Sequence, residues 1–348
     1  HIVDALVGSA QDKRNYAYAI SDTERLQEAV AQWYERRYGV LLDPATEVAS
    51  LLGVQEGLAH IAFTAIDEGD TILIPDPGYP IFRDGPVLAG ATPWWMPQKK
   101  ENGYLIDVDE IPDDVARRAK LMIISYPNNP TASIAPDRLY RNVIAFAQRH
   151  QIIVVHDNSY SELVFDGQTC GSFLRFPGAR DVGVEFNSLS KTYGLAGARI
   201  GFAVGNAGVI GMLKTLKSNI DYGMFFPLQE AAIAALSGPQ DCVETTRAAY
   251  QARRDMLVDG LHKIGWPVNK SPSTMFLWAR LPRGYTDSFA FTRELLNRAG
   301  VLMTPGTAFG AQGEGHVRMA LVADREELET AIDMIGKSGI LNAAVSAG

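Results

Sequence analysis

Ile152-Ile153-Val154-Val155-His156-Asp157-Asn158-Ser159-Tyr160 and Val182-Gly183-Val184-Glu185-Phe186-Asn187-Ser188-Leu189-Ser190-Lys191 decide the fold of this chain. Each is an apolar run of strand length that ends in polar residues able to do chemistry. Runs buried on both faces belong to a mostly parallel sheet covered by helices. Working outward, similar runs lie at 48–52, 71–74, 120–125 and 200–204, with helical stretches at 56–66, 136–150 and 209–217 between them. The expected fold class is α/β, with a mostly parallel central sheet.

The flanks read differently. A helix is predicted over 21–38: Ser21 and Glu24 have capping-box spacing, Leu26, Val30, Trp33, Tyr34 and Arg37 share a face, and Gly39 ends it. Residues 2–10 also read as helix. Beyond 238 come a helix at 241–264, strands at 275–281 and 316–321, and helices at 288–299 and 325–337. The last carries Asp324 and Glu327 as a capping box. This pattern predicts a smaller α+β domain. The expected division is a large domain over 12–238, with 1–11 and 239–348 forming the small one.

Composition narrows the function. With 348 residues the chain is long enough for two domains. Lys and Arg number 32 against 40 Asp and Glu, a net charge of −8, so nucleic acid is not an expected partner. No apolar run approaches the roughly 18 residues of a membrane helix, and no signal-peptide pattern opens the chain. Cys170 and Cys242 look like reduced, cytoplasmic usage. The six histidines show no metal-ligand spacing, so no metal is expected. Walker, GxSxG and HExxH motifs are missing, and Gly194, Gly197 and Gly201 are wrongly spaced for a dinucleotide fingerprint.

Unusual residues collect after the strand ends, where open α/β sheets bind ligands. Gly53-Val54-Gln55-Glu56-Gly57 opens a helix, a ready anion site. Tyr79 sits in a Pro-Gly-Tyr-Pro turn, and Asn129 in Asn-Asn-Pro-Thr. Asp157 and Tyr160 follow the 152–155 run. Ser188, Ser190 and Lys191 follow the 182–186 run, with Arg199 eight residues after the lysine. Singly, each has an ordinary reading as a turn, a cap or a solvated charge. Together they suit a molecule with a phosphate, a flat aromatic ring, a ring oxygen, a ring nitrogen and an aldehyde: pyridoxal 5'-phosphate.

On these motifs the chain resembles the fold-type-I, pyridoxal-phosphate-dependent class I/II aminotransferases, from about Tyr16 to Leu321. It is most similar to the LL-diaminopimelate aminotransferases, notably at 126–131, 156–167, 181–193, 199–206 and 217–221. The resemblance implies that 12–238 is the cofactor-binding domain. It implies Lys191 as the Schiff-base lysine and proton carrier, and Asp157 as partner of the ring nitrogen. Tyr160 and Asn129 would bond the ring oxygen, and Tyr79 would stack on the ring. The Val54 and Gln55 N–H groups, Ser188 and Arg199 would hold the phosphate, with Gly53 and Ser190 also at the cofactor. Tyr16 would reach the phosphate of a neighbouring subunit in a homodimer with shared sites. Arg318, in Gly-His-Val-Arg after the 305–310 block, would clamp the substrate carboxylate, with Asn129 beside it.

The implied reaction moves an amino group from an amino acid, LL-2,6-diaminopimelate in the closest group, to a 2-oxo acid, 2-oxoglutarate. Asp221 and Tyr222 are candidates for the donor's distal ammonium. Two departures stand out. Ala132 replaces a family glycine, and Val54-Gln55 replaces the Ser-Lys usual in the diaminopimelate group, which leaves room for an aspartate, aromatic or alanine donor. A family segment is expected ahead of His1. A β-lyase on the same fold would need the same Lys191 and Asp157 but no acceptor. A regulatory domain of this fold would need a DNA-binding module, which the sequence does not contain.

Overall fold

The computed structural model describes residues 1–342. The large sheet has seven strands: β1 (Val48–Leu51), β2 (Thr71–Asp76), β3 (Thr92–Pro97), β4 (Ala119–Ser125), β5 (Ile153–Asp157), β6 (Gly183–Ser188) and β7 (Gly201–Gly205). Their order is β1-β7-β6-β5-β4-β2-β3, parallel except for β7, which runs against both neighbours. Successive side chains of a strand point to opposite faces, so Val154 joins the core on one side of the sheet and Val155 the core on the other. The first core includes Trp33, Tyr34, Met122 and Phe202; the second includes Leu58, Ile72, Leu121 and Val184 under the helix Val54–Ala65. The α/β sheet expected from the buried runs is therefore present.

The second unit has a three-stranded antiparallel sheet, β8 (Phe276–Arg280), β9 (Thr304–Pro305) and β10 (His316–Ala320), in the order β8-β10-β9. Leu257, Trp266, Phe291 and Val317 share its core with the helices Asp241–Lys263, Ser288–Ala299 and Arg325–Lys337. Asp324 and Glu327 make the expected capping box.

Several expectations are corrected. The helix expected from Ser21 starts at Glu24 with Thr23 as its cap, and Thr23 is tied down by the buried Gln229, which accepts from its N–H and hydroxyl. A tertiary contact thus sets the start. Helix Ile2–Ala10 lies along helix Phe226–Ser237, and Ile2 packs on the core that holds Trp33. Residues 2–10 thus pack beside a helix of the expected large domain. Strand β3 is absent from the expected elements because Pro93 and Pro97 argue against a strand; it is an edge strand, where proline is tolerated. Helices Ile81–Leu88 and Phe226–Ser237 are hidden in the sequence by Pro86 and by a weak apolar stripe. Among the described residues no helix is long and apolar enough to cross a membrane.

Candidate active site

Because β7 is reversed, its first residue Gly201 pairs with Ser188 at the end of β6 and with Leu51 at the end of β1. Arg199, two residues ahead of β7, therefore arrives at the same sheet edge as the carboxyl ends of the parallel strands. A cleft of about 240 Å³ opens there. It is lined by Val54, Gln55, Tyr79, Asn129, Asp157, Tyr160, Ser188, Ser190, Lys191, Arg199 and Arg318. These residues span 265 positions of sequence, from 54 to 318, and the fold brings them to one place. Leu58, Ser159, Met275 and Phe276 also line it. Met275 and Phe276 belong to the second unit's sheet region, and no sequence motif marks them.

Gly53 caps the helix Val54–Ala65 with φ +83°, a conformation that suits glycine. A Cβ there would also overlap the Arg199 guanidinium. The first N–H groups of a helix have no partner inside it, so this turn offers donors beside a cation. Ser188 caps the next short helix, its hydroxyl accepting from Ser190 N at 3.1 Å. The Tyr79 hydroxyl donates to Gln55 Oε1 at 3.1 Å.

Asp157 ends β5 and is buried. Its Oδ1 accepts from Ser159 Oγ at 2.5 Å and Ser159 N at 3.1 Å. Burial raises its carboxyl above the usual range, although those two bonds oppose the shift. On the other face of β5, His156 Nδ1 meets Glu185 Oε2 at 2.8 Å, and the same carboxylate accepts from Tyr34 Oη and Asn158 Nδ2. Burial pushes Glu185 up, but His156 and these donors prevail and hold it below its ordinary value. This fully bonded layer braces β5 and β6 behind the cleft; its signal in the sequence is polar residues inside apolar runs.

Lys191 is partly buried. Burial and the Arg199 charge push its amine below the ordinary lysine value, against the pull of Asp157. Arg318 on β10 donates from Nη1 to Asn129 Oδ1 at 2.8 Å, and its guanidinium lies 4.1 Å from the Phe276 ring centre and 4.6 Å from that of Phe309. Its Nε is buried and has no hydrogen-bond partner among the described residues. Burial lowers its pKa. Asn129 is presented by a turn that Asn128 closes, its Oδ1 accepting from Thr131 N and Thr131 Oγ1. Ala132, in place of the family glycine, keeps the left-handed φ of +60°.

Tyr16 is not brought to the cleft of its own chain. It is 65% exposed, and its ring meets Phe225 edge-on at 5.4 Å. Asp221 and Tyr222 are also outside the cleft. Asp221 lies 3.4 Å from the Lys217 ammonium, and the Tyr222 ring stands against Tyr18.

Residues 2–335 match the family Aminotransferase class I and II. The LL-diaminopimelate aminotransferase of Moorella thermoacetica is 47% identical over 336 residues, 96% of this chain and 86% of that protein. Apo-BacF from Bacillus subtilis superposes with a TM-score of 0.94 at 39% identity, covering 97% of this chain and 86% of that one. A probable N-succinyldiaminopimelate aminotransferase from Thermus thermophilus gives 0.91 at 34% identity, covering 97% and 90%. The sheet, the cleft and these matches identify the chain as a member of the class I and II aminotransferases, an enzyme family that transfers amino groups.

Proposed function

We propose that this chain binds pyridoxal phosphate in the cleft and transfers the amino group of LL-2,6-diaminopimelate to 2-oxoglutarate. The observation that carries the reading is the pairing of a lowered amine, Lys191, and a buried acid, Asp157, with the half-buried guanidinium of Arg318, whose Nε is buried and lacks a partner among the described residues. The residues fit the cofactor. The Gly53 turn leaves room for Arg199 to face a phosphate where a Cβ would intrude, and Ser188 and Ser190 add hydroxyls. Asp157 suits a protonated ring nitrogen, because an opposite charge offsets the cost of burying its carboxylate. When bound, the cofactor supplies an electron sink for the pair left at the substrate Cα.

The side chains divide the remaining work. Lys191 takes the proton from the substrate Cα and returns it. Arg318 fixes the substrate carboxylate, since its half-buried guanidinium keeps a buried Nε without a partner among the described residues and a guanidinium binds carboxylates bidentately. Asn129 spends its oxygen on Arg318, which leaves its NH₂ for the ring oxygen, with the Tyr160 hydroxyl as second donor. Tyr79, held by Gln55, covers a ring face.

Support for the donor comes from the names of the relatives. LL-diaminopimelate should give kcat/KM at least about 10²-fold above those of aspartate, tyrosine and alanine, because a site built for a polar distal group rejects analogues that leave it unpaired. Steady-state kinetics with 2-oxoglutarate tests this; a higher value for any of the other three removes the substrate and leaves the aminotransferase.

A homodimer with shared sites belongs to the same proposal. Tyr16, Tyr18, Ile20, Tyr222 and Phe225 are exposed large side chains, with Tyr16 against Phe225 and Tyr18 against Tyr222, and burial of such a patch favours association. Sedimentation velocity should give a dimer; an active, cofactor-loaded monomer would contradict it. The unpaired Cys170 and Cys242 support a reducing, cytoplasmic setting.

A further inference from the structure

The turn at Gly53 has a support that the proposed reaction does not use. Glu56, the third residue of helix Val54–Ala65, turns its side chain back on the turn, and its Oε2 accepts from Leu52 N at 2.9 Å. Its Oε1 accepts from Lys217 Nζ at 3.0 Å. His60 Nδ1 lies 2.5 Å from the same oxygen, out of line for a hydrogen bond. Lys217 is 6% exposed, on the last turn of helix Ala207–Ile220, and Asp221 takes its other side at 3.4 Å.

We propose that Glu56 is a positioning residue for the phosphate-holding turn and that Lys217 holds Glu56 in register. The inference rests on the pyridoxal phosphate reading above. A glycine turn has more accessible conformations than any other, and Gly53 sits where the approach to Arg199 must be close. Something outside the turn has to hold its backbone. Glu56 does so at Leu52 N, one residue before Gly53. A lone carboxylate on a helix would wander among rotamers; the Lys217 ammonium, largely removed from water, pins it. The two carboxylates and His60 lie within 4.8 Å of one another, an arrangement that could also attract a metal ion. Lys217 already supplies the cation there, so the cluster reads as an internal strut that ties the turn to helix Ala207–Ile220.

The probe that isolates this role is the phosphate itself. Apoenzyme is titrated with pyridoxal phosphate and with pyridoxal, which lacks the phosphate, following absorbance and tyrosine and tryptophan fluorescence. Glu56→Ala and Lys217→Met should each raise the dissociation constant for pyridoxal phosphate by about 10-fold or more, the scale of a lost charge-assisted hydrogen bond. Pyridoxal affinity should stay at the wild-type value. Lys217→Arg, which keeps the cation, should restore most of the loss, and it serves with Lys217→Met if Glu56→Ala fails to fold. Equal weakening of both ligands would make the strut a general structural element and overturn the proposal, as would unchanged pyridoxal phosphate affinity. Wild-type apoenzyme that binds neither compound would instead remove the cofactor reading on which the proposal rests.

Discussion

Lys191→Ala should lower transamination by at least about 10⁴-fold, the upper end of what one positioned proton-transfer group contributes. The variant loses both the amine that holds the cofactor aldehyde and the base that moves the Cα proton, so no neighbour can replace it. Arg199 and Arg318 are cations at neutral pH and cannot accept a proton. The fold should survive, because Lys191 is only partly buried and makes no ion pair among the described residues. Turnover, circular dichroism and borohydride labelling of the cofactor-loaded protein check this together. Labelling of the variant at another lysine would refute the assignment. The depressed pKa adds a sign: below it the amine is protonated and has no lone pair. Covalent capture of the cofactor should therefore strengthen as pH rises, with a midpoint below the ordinary lysine value because burial and Arg199 disfavour the charged form.

Asp157→Asn should reduce turnover by about 10²-fold or more, since a hydrogen bond to a charged group is worth up to about 3 kcal/mol and the asparagine cannot stabilise a ring cation. The change is nearly isosteric. The new amide oxygen can still accept from Ser159, whose N–H and hydroxyl now bond Oδ1. Cofactor occupancy, which depends on the phosphate contacts and on Lys191, should fall much less. The measurement is kcat alongside the ratio of bound cofactor to protein. Near-normal turnover in a fully loaded variant would end the electron-sink role of Asp157.

Much of this site is legible in the amino-acid sequence because parallel strands deliver their carboxyl ends to one edge. Once 152–155 and 182–186 read as buried strands, Asp157 and Lys191 fall at the same edge; Asp157 pairs with Phe186 across β5 and β6. Val54, Tyr79 and Asn129 follow by the same reasoning from three other strands. Arg318 is less accessible to this logic. It comes from a different sheet, and its bond to Asn129 spans 189 residues. Its motif makes it a candidate; no periodicity can say that Phe276 and Phe309 wall it in. Tyr16 stays outside the cleft because the single chain holds it against Phe225.

Local patterns along the chain suffice for most of the strands, for the order of the ligand-bearing turns and for the residue types that suit the cofactor. Those are properties of neighbouring residues: side-chain alternation, turn chemistry and the polar groups that follow a buried run. The direction of β7, which carries Arg199 to the Gly53 turn, is settled instead by its pairing with β1 and β6. Long-range contacts likewise make Thr23 the cap of its helix, because Gln229 holds it, and pack helix Ile2–Ala10 beside Phe226–Ser237. The strut from Lys217 through Glu56 to Leu52 belongs to the same class. One cause is common to all four. Strand direction, cap choice, helix docking and buried charge pairing are set by contacts between segments distant in sequence, and a local pattern carries no record of its distant partner.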